Sequence, residues 1–123
     1  MTKVVTTVNP SQKLIDVKHI FEKKNFHHHI PVTENENLVG MISLIDYIHA
    51  IKDATLDDED RIYTEISVGD IMTENPLSKS SQTSIREVAE ELAKGEIHAI
   101  AIADNNVLKG LVSTADLIRF FLQ

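Results

Sequence analysis

The sequence predicts an α/β (α+β) protein made of two strand–helix–strand–strand–helix repeats packed with pseudo-twofold symmetry. The first observation is internal self-similarity: the chain from Met1 matches the chain from Met72 at an offset of 71, which drops to 70 after one residue inserted within His27–His29. The second is a hydrophobic period that alternates between helix-like and strand-like within each copy. The third is length, because 123 residues can bury one sizeable core, whereas a half-chain of roughly 55 residues buries little.

The first helix of the repeat is clearest in the second copy. Ser84 with Glu87 three positions later has the spacing of a capping box, and Gly95 is a residue type that ends helices. Between them, apolar residues recur at intervals of three and four, as one buried helix face requires: Ile85, Val88, Ala89, Leu92 and Ala93.

Two β-rich runs follow this helix in each copy. In the second copy they are His98–Ala103 and Val107–Val112, joined by Asp104-Asn105-Asn106, residue types that suit a tight hairpin turn. In the first copy the equivalents are His28–Thr33 and Leu38–Ile42, around residues 34–37.

The repeat is completed by a second helix and an entry strand. The second helix is predicted at Ser43–Ile51 and at Ser113–Leu122. The β-branched run Val4–Val8 predicts a strand ahead of the first helix, and Leu77–Lys79 is its weaker equivalent.

An acidic segment without a counterpart separates the copies. Residues 52–65 hold six acids against Lys52 and Arg61, so they contribute −4 of the formal net charge of −7. The predicted organisation is a first repeat at residues 1–52, a solvated acidic connector at 53–67 and a second repeat at 68–123.

Composition excludes several classes of protein. No apolar run approaches the roughly 18 residues of a membrane span, so we expect no membrane insertion. The excess of acids argues against nucleic-acid binding, which needs a basic surface. The chain lacks cysteine and a secretory segment, which favours a cytoplasmic protein. It also lacks the P-loop, G-x-S-x-G and H-E-x-x-H motifs, so we expect no enzyme.

One heptapeptide pattern, G-h-x-S/T-x-x-D with h apolar, closes both repeats. It occurs as GMISLID at residues 40–46 and as GLVSTAD at residues 110–116. DIMT at residues 70–73 enters the second copy, and IPV at residues 30–32 lies in a predicted hairpin strand of the first. Together these motifs resemble a tandem pair of CBS (cystathionine-β-synthase) domains, a Bateman module, over essentially the whole chain.

The chain departs from the family pattern at three places. Ala101 replaces the expected proline of the second copy, and Ser81 stands where the first copy has Pro10. The first DIMT is cut to Met1, which is compatible with a longer parent protein that carries a further domain.

The resemblance implies a regulatory module, without a prosthetic group, that binds AMP, ADP, ATP or another adenosyl ligand such as S-adenosylmethionine in clefts between the repeats. In ligand-binding members the Asp of the heptapeptide bonds ribose hydroxyls, its Ser or Thr bonds phosphate, and basic residues ahead of the h-P-V strand neutralise phosphate charge. Carried over, one site would use Asp116, Ser113, Leu111 and His98 with Asn9, Leu14 and His28. The second site would use Asp46, Ser43, Met41 and His28 with Ser80 and Ile85.

Ser43 and Asp46, like Ser113 and Asp116, have two explanations. A Ser-x-x-Asp sequence ahead of an apolar run is an ordinary capping box, worth about 1 kcal/mol to a helix. The same geometry places a hydroxyl and a carboxylate at a helix start, where they can contact phosphate and ribose. The repeat context favours ligand contact for at least one of the two sites.

Histidines 27–29 also allow two interpretations. A metal site is the weaker one, because strand alternation would point His27 and His29 to one face and His28 to the other. A phosphate contact by His28 and His98 is better supported, with exposed histidines at a strand entrance as the alternative. Because an ordinary imidazole titrates near pH 6.5, the phosphate interpretation predicts nucleotide affinity that rises as the pH falls toward 6.

Family resemblance further implies a homodimer and a regulated target, either a partner protein or a missing domain. The expected dimer interface uses the apolar faces of residues 45–51 and 117–122, although packing in the chain's own core would explain the same residues. The main alternative function is a ligand-free CBS pair that serves as a dimerisation or protein-interaction scaffold. A small metallohydrolase is a distant third.

Overall fold

The computed structural model describes residues 6–23 and 28–123 and confirms the mixed α+β class with two repeats. The helices are α1 Leu14–Phe21, α2 Leu44–Ala50, α3 Arg61–Glu65, α4 Val68–Ile71, α5 Ile85–Ala93 and α6 Thr114–Phe121. The strands are β1 His29–Glu34, β2 Asn37–Ser43, β3 Thr73–Glu74, β4 Ser78–Lys79, β5 Ala99–Asp104 and β6 Val107–Ser113. Met1, the beginning of the predicted Val4–Val8 strand and His27 lie outside the described residues.

Both predicted hairpins are confirmed. β1 pairs antiparallel with β2, and β5 with β6, and each pair has one register shift at the equivalent position. The two turn residues have positive φ in each hairpin, 49° and 71° at Asn35 and Glu36 and 51° and 68° at Asn105 and Asn106. Positive φ at both central residues is the type I′ geometry, whose twist matches the twist of the flanking strands.

The two hairpins join at their turns. Leu38 N–H donates to the Asn106 carbonyl at 2.9 Å, and Leu108 N–H donates to the Glu36 carbonyl at 3.1 Å. Asn37 pairs with Val107 between them, which links β2 to β6 and gives the strand order β1-β2-β6-β5-β4. Leu38 and Leu108 are equivalent residues of the two repeats, as are Glu36 and Asn106, so each bond is the symmetry equivalent of the other. The joint therefore lies on the predicted pseudo-twofold axis.

The entry strands are shorter than predicted. β4 pairs parallel with β5 over two residues, and in the first repeat only Val8 makes the equivalent parallel bridge, to Val32. Both contacts occupy the same place in the repeat, since Lys79 faces Ile102 as Val8 faces Val32. The prediction for Leu77–Lys79 is thus wrong by one residue, and Thr6 and Thr7 are not in a strand.

The predicted helices begin and end close to the expected residues. Ser84 caps α5 by accepting a bond from the Glu87 N–H at 3.1 Å, and Gly95 follows the helix with φ of +76°. The expected return bond of the capping box is absent from the hydrogen bonds of α5; the Ser84 hydroxyl instead contacts the Glu87 carboxylate at 3.4 Å. Full capping boxes do start α2 and α6.

The buried side chains form three groups, of which one joins the two repeats. One lies within each repeat, under α1 in the first and under α5 in the second. The third lies between the repeats and consists of Leu38, Met41, Ala99, Ala101 and Leu111. Along β5, alternate residues serve different cores, because Ala99 and Ala101 face the other repeat while Ile100 and Ile102 face α5.

The connector is more structured than a solvated spacer, and that expectation is wrong for part of it. The Tyr63 ring on α3 is fully buried in the first-repeat core. The Asp58 carboxylate bonds to the buried Lys18 Nζ and, at 2.9 Å, to His19 Nε2. The sequence missed α3 and α4 because a single buried aromatic in an acidic run gives no periodic signal.

Helix α6 packs on the second repeat through Leu117 but leaves its outer face uncovered by the chain. It has no fully buried residue, and Phe121 and Leu122 at its end are 65% and 81% exposed. Packing in the chain's own core, one of the two expectations for residues 117–122, is therefore confirmed for Leu117 and wrong for Phe121 and Leu122. Over the described ranges, the structure contains no helix with the length and apolarity that crossing a bilayer would require.

The left-handed turn residue Glu36 generates a stability prediction. Asn tolerates positive φ better than Glu, and the second repeat already has Asn106 at this position. Glu36→Asn is expected to raise the free energy of unfolding by about 0.5–1 kcal/mol, measured by urea denaturation. Glu34→Asn, at the exposed end of β1 and without positive φ, is the control; an equal gain there would contradict the explanation.

Candidate functional site

A cleft of about 500 Å³ lies between the two repeats, beside the start of α2. This volume is within the range of small-molecule sites. The first repeat lines it with His28, His29, Met41, Ser43, Leu44, Ile45 and Asp46. The second repeat lines it with Thr73, Pro76, Leu77, Glu96, Ile97, His98 and Ala99.

The floor of the cleft is the rim of the inter-repeat core. Met41 and Ala99 belong to that core and also line the cleft. β3 closes one side because Thr73 pairs with Met41. Gly40 permits this approach, since a Cβ there would lie 2.5 Å from Met72 Sδ and 3.1 Å from the Thr73 carbonyl oxygen. The absence of a side chain at Gly40 lets segment 72–73 pass this close to β2 without displacing Met72.

Ser43 and Asp46 present a hydroxyl and a carboxylate to the cleft. Asp46 N–H donates to Ser43 Oγ at 3.0 Å, and Ser43 N–H donates to Asp46 Oδ2 at 3.1 Å. Within the described part of the chain, Asp46 Oδ1 accepts no hydrogen bond, and the Ser43 hydroxyl proton has no acceptor. The capping explanation is thus confirmed, and it leaves one acceptor and one donor for a ligand.

Three histidines line the cleft from both repeats. The His28 carbonyl accepts the first N–H of α2, from Leu44 at 2.7 Å, and the His98 carbonyl accepts the equivalent N–H from Thr114 at 3.0 Å. His29 lies opposite Ser43 in the β1–β2 pair. The predicted alternation of His27–His29 stays a prediction, because β1 begins only at His29 and His27 lies outside the described residues; His28 and His29 both contribute to the cleft lining.

His29 has the most perturbed environment of the three. Partial burial lowers the pKa of its imidazole, and the nearby His28 and His98 lower it further, while the Asp46 carboxylate acts in the opposite direction. His29 is therefore neutral at neutral pH, and the cleft resists its protonation.

The predicted second site is brought together in large part. Asp46, Ser43, Met41 and His28 all line the cleft. Ser80 and Ile85 do not, since Ser80 belongs to the turn ahead of α5, near Thr83, and Ile85 is exposed on α5. Residues of segment 73–77 line the cleft instead, because β3 pairs with β2 and so places this segment beside the cleft.

The predicted first site is not assembled as a unit. Leu14 is fully buried in the first-repeat core, so it is not open to a ligand. Leu111 belongs to the inter-repeat core, as Met41 does beside the described cleft. The Asn9 side chain accepts bonds from Ser11 and Gln12, and so closes the turn ahead of α1. His98, assigned to this site by sequence, lines the Asp46 cleft, as does His28.

Asp116 and Ser113 also form a capping box, but with a further partner. Ser113 N–H donates to Asp116 Oδ2 at 2.9 Å, and Arg119 Nη2 lies 2.7 Å from Asp116 Oδ1. In the first repeat the residue equivalent to Arg119 is His49. The pseudo-symmetric counterpart of the cleft would include residues 2–5 and 26–27, which are outside the described ranges.

The metal interpretation gains no support in the cleft. Among the described residues, His28, His29, His98 and Asp46 do not bring three ligand atoms within 4.8 Å of one another. His19, Glu22 and Asp58 do so on the surface, but Lys18 Nζ already contacts both carboxylates there. An ammonium group in that position disfavours a second cation.

Sequence reasoning missed nine of the fourteen described residues that line the cleft. His29 was considered only for metal, and no ligand contact was predicted for Leu44, Ile45, Thr73, Pro76, Leu77, Glu96, Ile97 or Ala99. A two-residue strand such as β3 gives no detectable alternation, so only the repeat entry DIMT at residues 70–73 pointed to this region.

Comparison with known proteins finds one matching family model and related proteins in an archaeon. The model of the CBS domain family matches residues 1–53 and 68–123. Two uncharacterized proteins of Methanocaldococcus jannaschii, MJ1225 and MJ1232, are 24% and 28% identical over 98% and 95% of this chain. The chain spans 45% and 36% of their lengths, less than half of either.

Solved structures share the fold over nearly the whole chain. CBSX2 in complex with AMP has a TM-score of 0.81 and 26% identity, over all of this chain and 92% of that one; CBSX2 comes from Arabidopsis thaliana. The CBS-domain containing protein ATU1752 from Agrobacterium tumefaciens has a TM-score of 0.77 and 18% identity, over 97% and 90% of the two chains.

The His29 environment predicts how stability depends on pH. Because the folded-state pKa is lowered, the unfolded chain binds the proton more readily below about pH 6.5, so this contribution is present at higher pH and lost on acidification. His29→Gln is expected to unfold with a shallower loss of stability between about pH 7.5 and 5.5, followed by urea denaturation at each pH. His49→Gln, on the exposed side of α2, is the control for removing an imidazole; an identical slope in His29→Gln and wild type would contradict the assignment.

Proposed function

We propose that this chain, which belongs to the CBS domain family, is a regulatory module that binds an adenine nucleotide or another adenosyl ligand in the cleft between its repeats. The observation that carries the proposal is the meeting of Ser43, Asp46 and Met41 with His28 and His98 in one cleft. The AMP complex of CBSX2, a protein of similar sequence and fold, supports the ligand class.

The cleft offers suitable chemistry for each part of such a ligand. Asp46 Oδ1 is available to accept bonds from ribose hydroxyls, and the Ser43 hydroxyl is available to donate to the ligand. Met41, Leu77 and Ile97 supply an apolar wall against which an adenine ring can pack. His28 and His98 are the groups that can meet a phosphate.

Asp46 marks the working cleft, in preference to Asp116. Both oxygens of Asp116 already have partners, the Ser113 N–H and the Arg119 guanidinium. A ribose would therefore compete with a charged side chain at Asp116, whereas at Asp46 it would meet an unoccupied oxygen.

Regulation follows from the position of the ligand between the repeats. A ligand that contacts both repeats stabilises the relative orientation it fits best and so shifts the population toward it. The change would be read by a regulated partner protein, or by a further domain of a longer parent protein. We propose no catalytic step, and a cytoplasmic location stays a prediction of the sequence.

The exposed helix faces support a homodimer. Ile45 and Ile48 on α2 and Ile118, Phe121 and Leu122 at α6 leave large apolar side chains in solvent. α2 and α6 are the equivalent helices of the two repeats, and each exposes an apolar face. A second copy of the chain that packs against these two helices would bury both apolar faces.

The same surface favours the second candidate, a scaffold without a ligand. In that case the two Ser–Asp pairs serve only as capping boxes, and α2 and α6 provide the function. Ligand titration separates the candidates.

Ligand binding is expected to raise thermal stability through Asp46. AMP, ADP, ATP and S-adenosylmethionine are titrated in a thermal-shift assay; at 100 times its dissociation constant a ligand adds about 2.7 kcal/mol and several degrees to the midpoint. Asp46→Asn is expected to abolish the shift and Asp116→Asn to retain it. If only Asp116→Asn abolished the shift, the ligand would be assigned to the Asp116 cleft instead. If no ligand raised the melting temperature of wild type, the scaffold function would be favoured.

Dimerisation is expected to depend on α6. Phe121→Glu places a charge on the proposed interface and is expected to convert the dimer to a monomer in sedimentation equilibrium. Leu56→Glu, at a comparably exposed apolar residue in the connector, is the control and should remain dimeric. A monomeric wild type, or a dimer that survives Phe121→Glu, would contradict this interface.

A further inference from the structure

The charged groups of the cleft have an unusual balance for a nucleotide site. Among the described residues that line it, the ionisable side chains are His28, His29, Asp46, Glu96 and His98. Lys and Arg are absent from this part of the lining. The histidines come from the start of β1 and the segment ahead of β5, Asp46 comes from α2, and the β3–β4 segment contributes no ionisable lining residue.

The described lining residues carry more negative than positive charge at slightly alkaline pH. Two carboxylates then carry charge, while ordinary imidazoles are mainly neutral above pH 6.5. His29 is held neutral by partial burial and by the adjacent His28 and His98. A phosphate entering the cleft therefore meets carboxylates and uncharged rings, with no fixed cation among the described lining residues.

We propose that the cleft selects adenosyl ligands by charge: it prefers neutral or cationic ones above neutral pH, and it accepts a single phosphate only together with protons taken up by its histidines. The inference rests on the proposed function, since it concerns the ligand of the same cleft. Adenosine and adenosyl sulfonium compounds are the favoured class, and nucleoside di- and triphosphates are rejected.

The physical basis is Coulomb repulsion that each added phosphate increases. A triphosphate brings several negative charges to a site with two carboxylates, and the interaction between charges a few ångströms apart in a partly dry cleft is strong. Proteins that bind polyphosphates offset this with Arg or Lys, whose charge does not depend on pH in this range. Histidine offsets it only after protonation, which couples phosphate binding to pH.

Glu96 is the specificity residue on the second repeat. It lies on the exposed segment between α5 and β5, two residues from His98, and it forms part of the cleft lining. No hydrogen bond or ion pair holds its carboxylate within the described residues. Replacing it with a cation reverses a charge at the cleft without removing a structural contact.

The test is isothermal titration of adenosine, AMP and ATP into the full chain at about pH 8 and about pH 6. At the higher pH, adenosine is expected to bind at least about tenfold more tightly than ATP, with AMP between them. At the lower pH the difference between adenosine and AMP should shrink, because protonation of imidazole becomes more favourable as the pH falls. Titrations in buffers of different ionisation enthalpy should show proton uptake with AMP and none with adenosine.

Glu96→Lys is expected to strengthen ATP binding several-fold more than adenosine binding at the higher pH, because only ATP carries phosphate charge. Glu59→Lys, the same charge reversal on an exposed connector residue outside the cleft lining, is the control and should alter neither. ATP that binds wild type as tightly as adenosine at about pH 8, or AMP binding without proton uptake, would overturn the charge selection alone. Failure of all three ligands at both pH values would overturn the proposed function and this inference together.

Discussion

The fold depends on the joint between the two hairpin turns. Leu38 and Leu108 each donate a backbone hydrogen bond to the turn of the other repeat, and these bonds fix the sheets edge to edge on the pseudo-twofold axis. The joint needs left-handed residues in both turns, which is why Asn is used at three of the four positions and why Glu36 is the exception. Once the turns are joined, Met41 and Ala101 are buried between the repeats, and neither repeat has to close a core alone.

The candidate site is a consequence of this arrangement. The inter-repeat core ends at Met41 on β2 and at Ala99 on β5, and a cleft opens beyond these residues, where α2 begins. The residues that start α2 are then used twice, as Ser43 and Asp46 cap the helix with one set of atoms and face the cleft with another. A ligand bound there touches both repeats, and a change in their relative orientation is the most direct signal such a module can give.

The two repeats are not equivalent in detail. The connector packs on the first repeat, where the buried Lys18 contacts Asp58 and the Tyr63 ring, 5.5 Å from Lys18 Nζ, lies in the core. In the second repeat the equivalent of Asp46 is bound by Arg119. The two repeats thus share their backbone arrangement in the hairpins, while their charged side chains differ.

The sequence by itself determined the repeat, its hairpins and three helix starts, because turn residues, capping residues and apolar periodicity act over a few neighbouring residues. It also identified Asp46, Ser43, Met41 and His28, since a repeated motif maps onto a repeated place in the fold. Only the tertiary structure decided the other wall of the cleft. Pairing of Thr73 with Met41 brings segment 73–77 across the site, where Ser80 and Ile85 were predicted. Burial in the first-repeat core removes Leu14 from the other predicted site. These outcomes depend on contacts between residues distant in the chain, which local patterns do not encode.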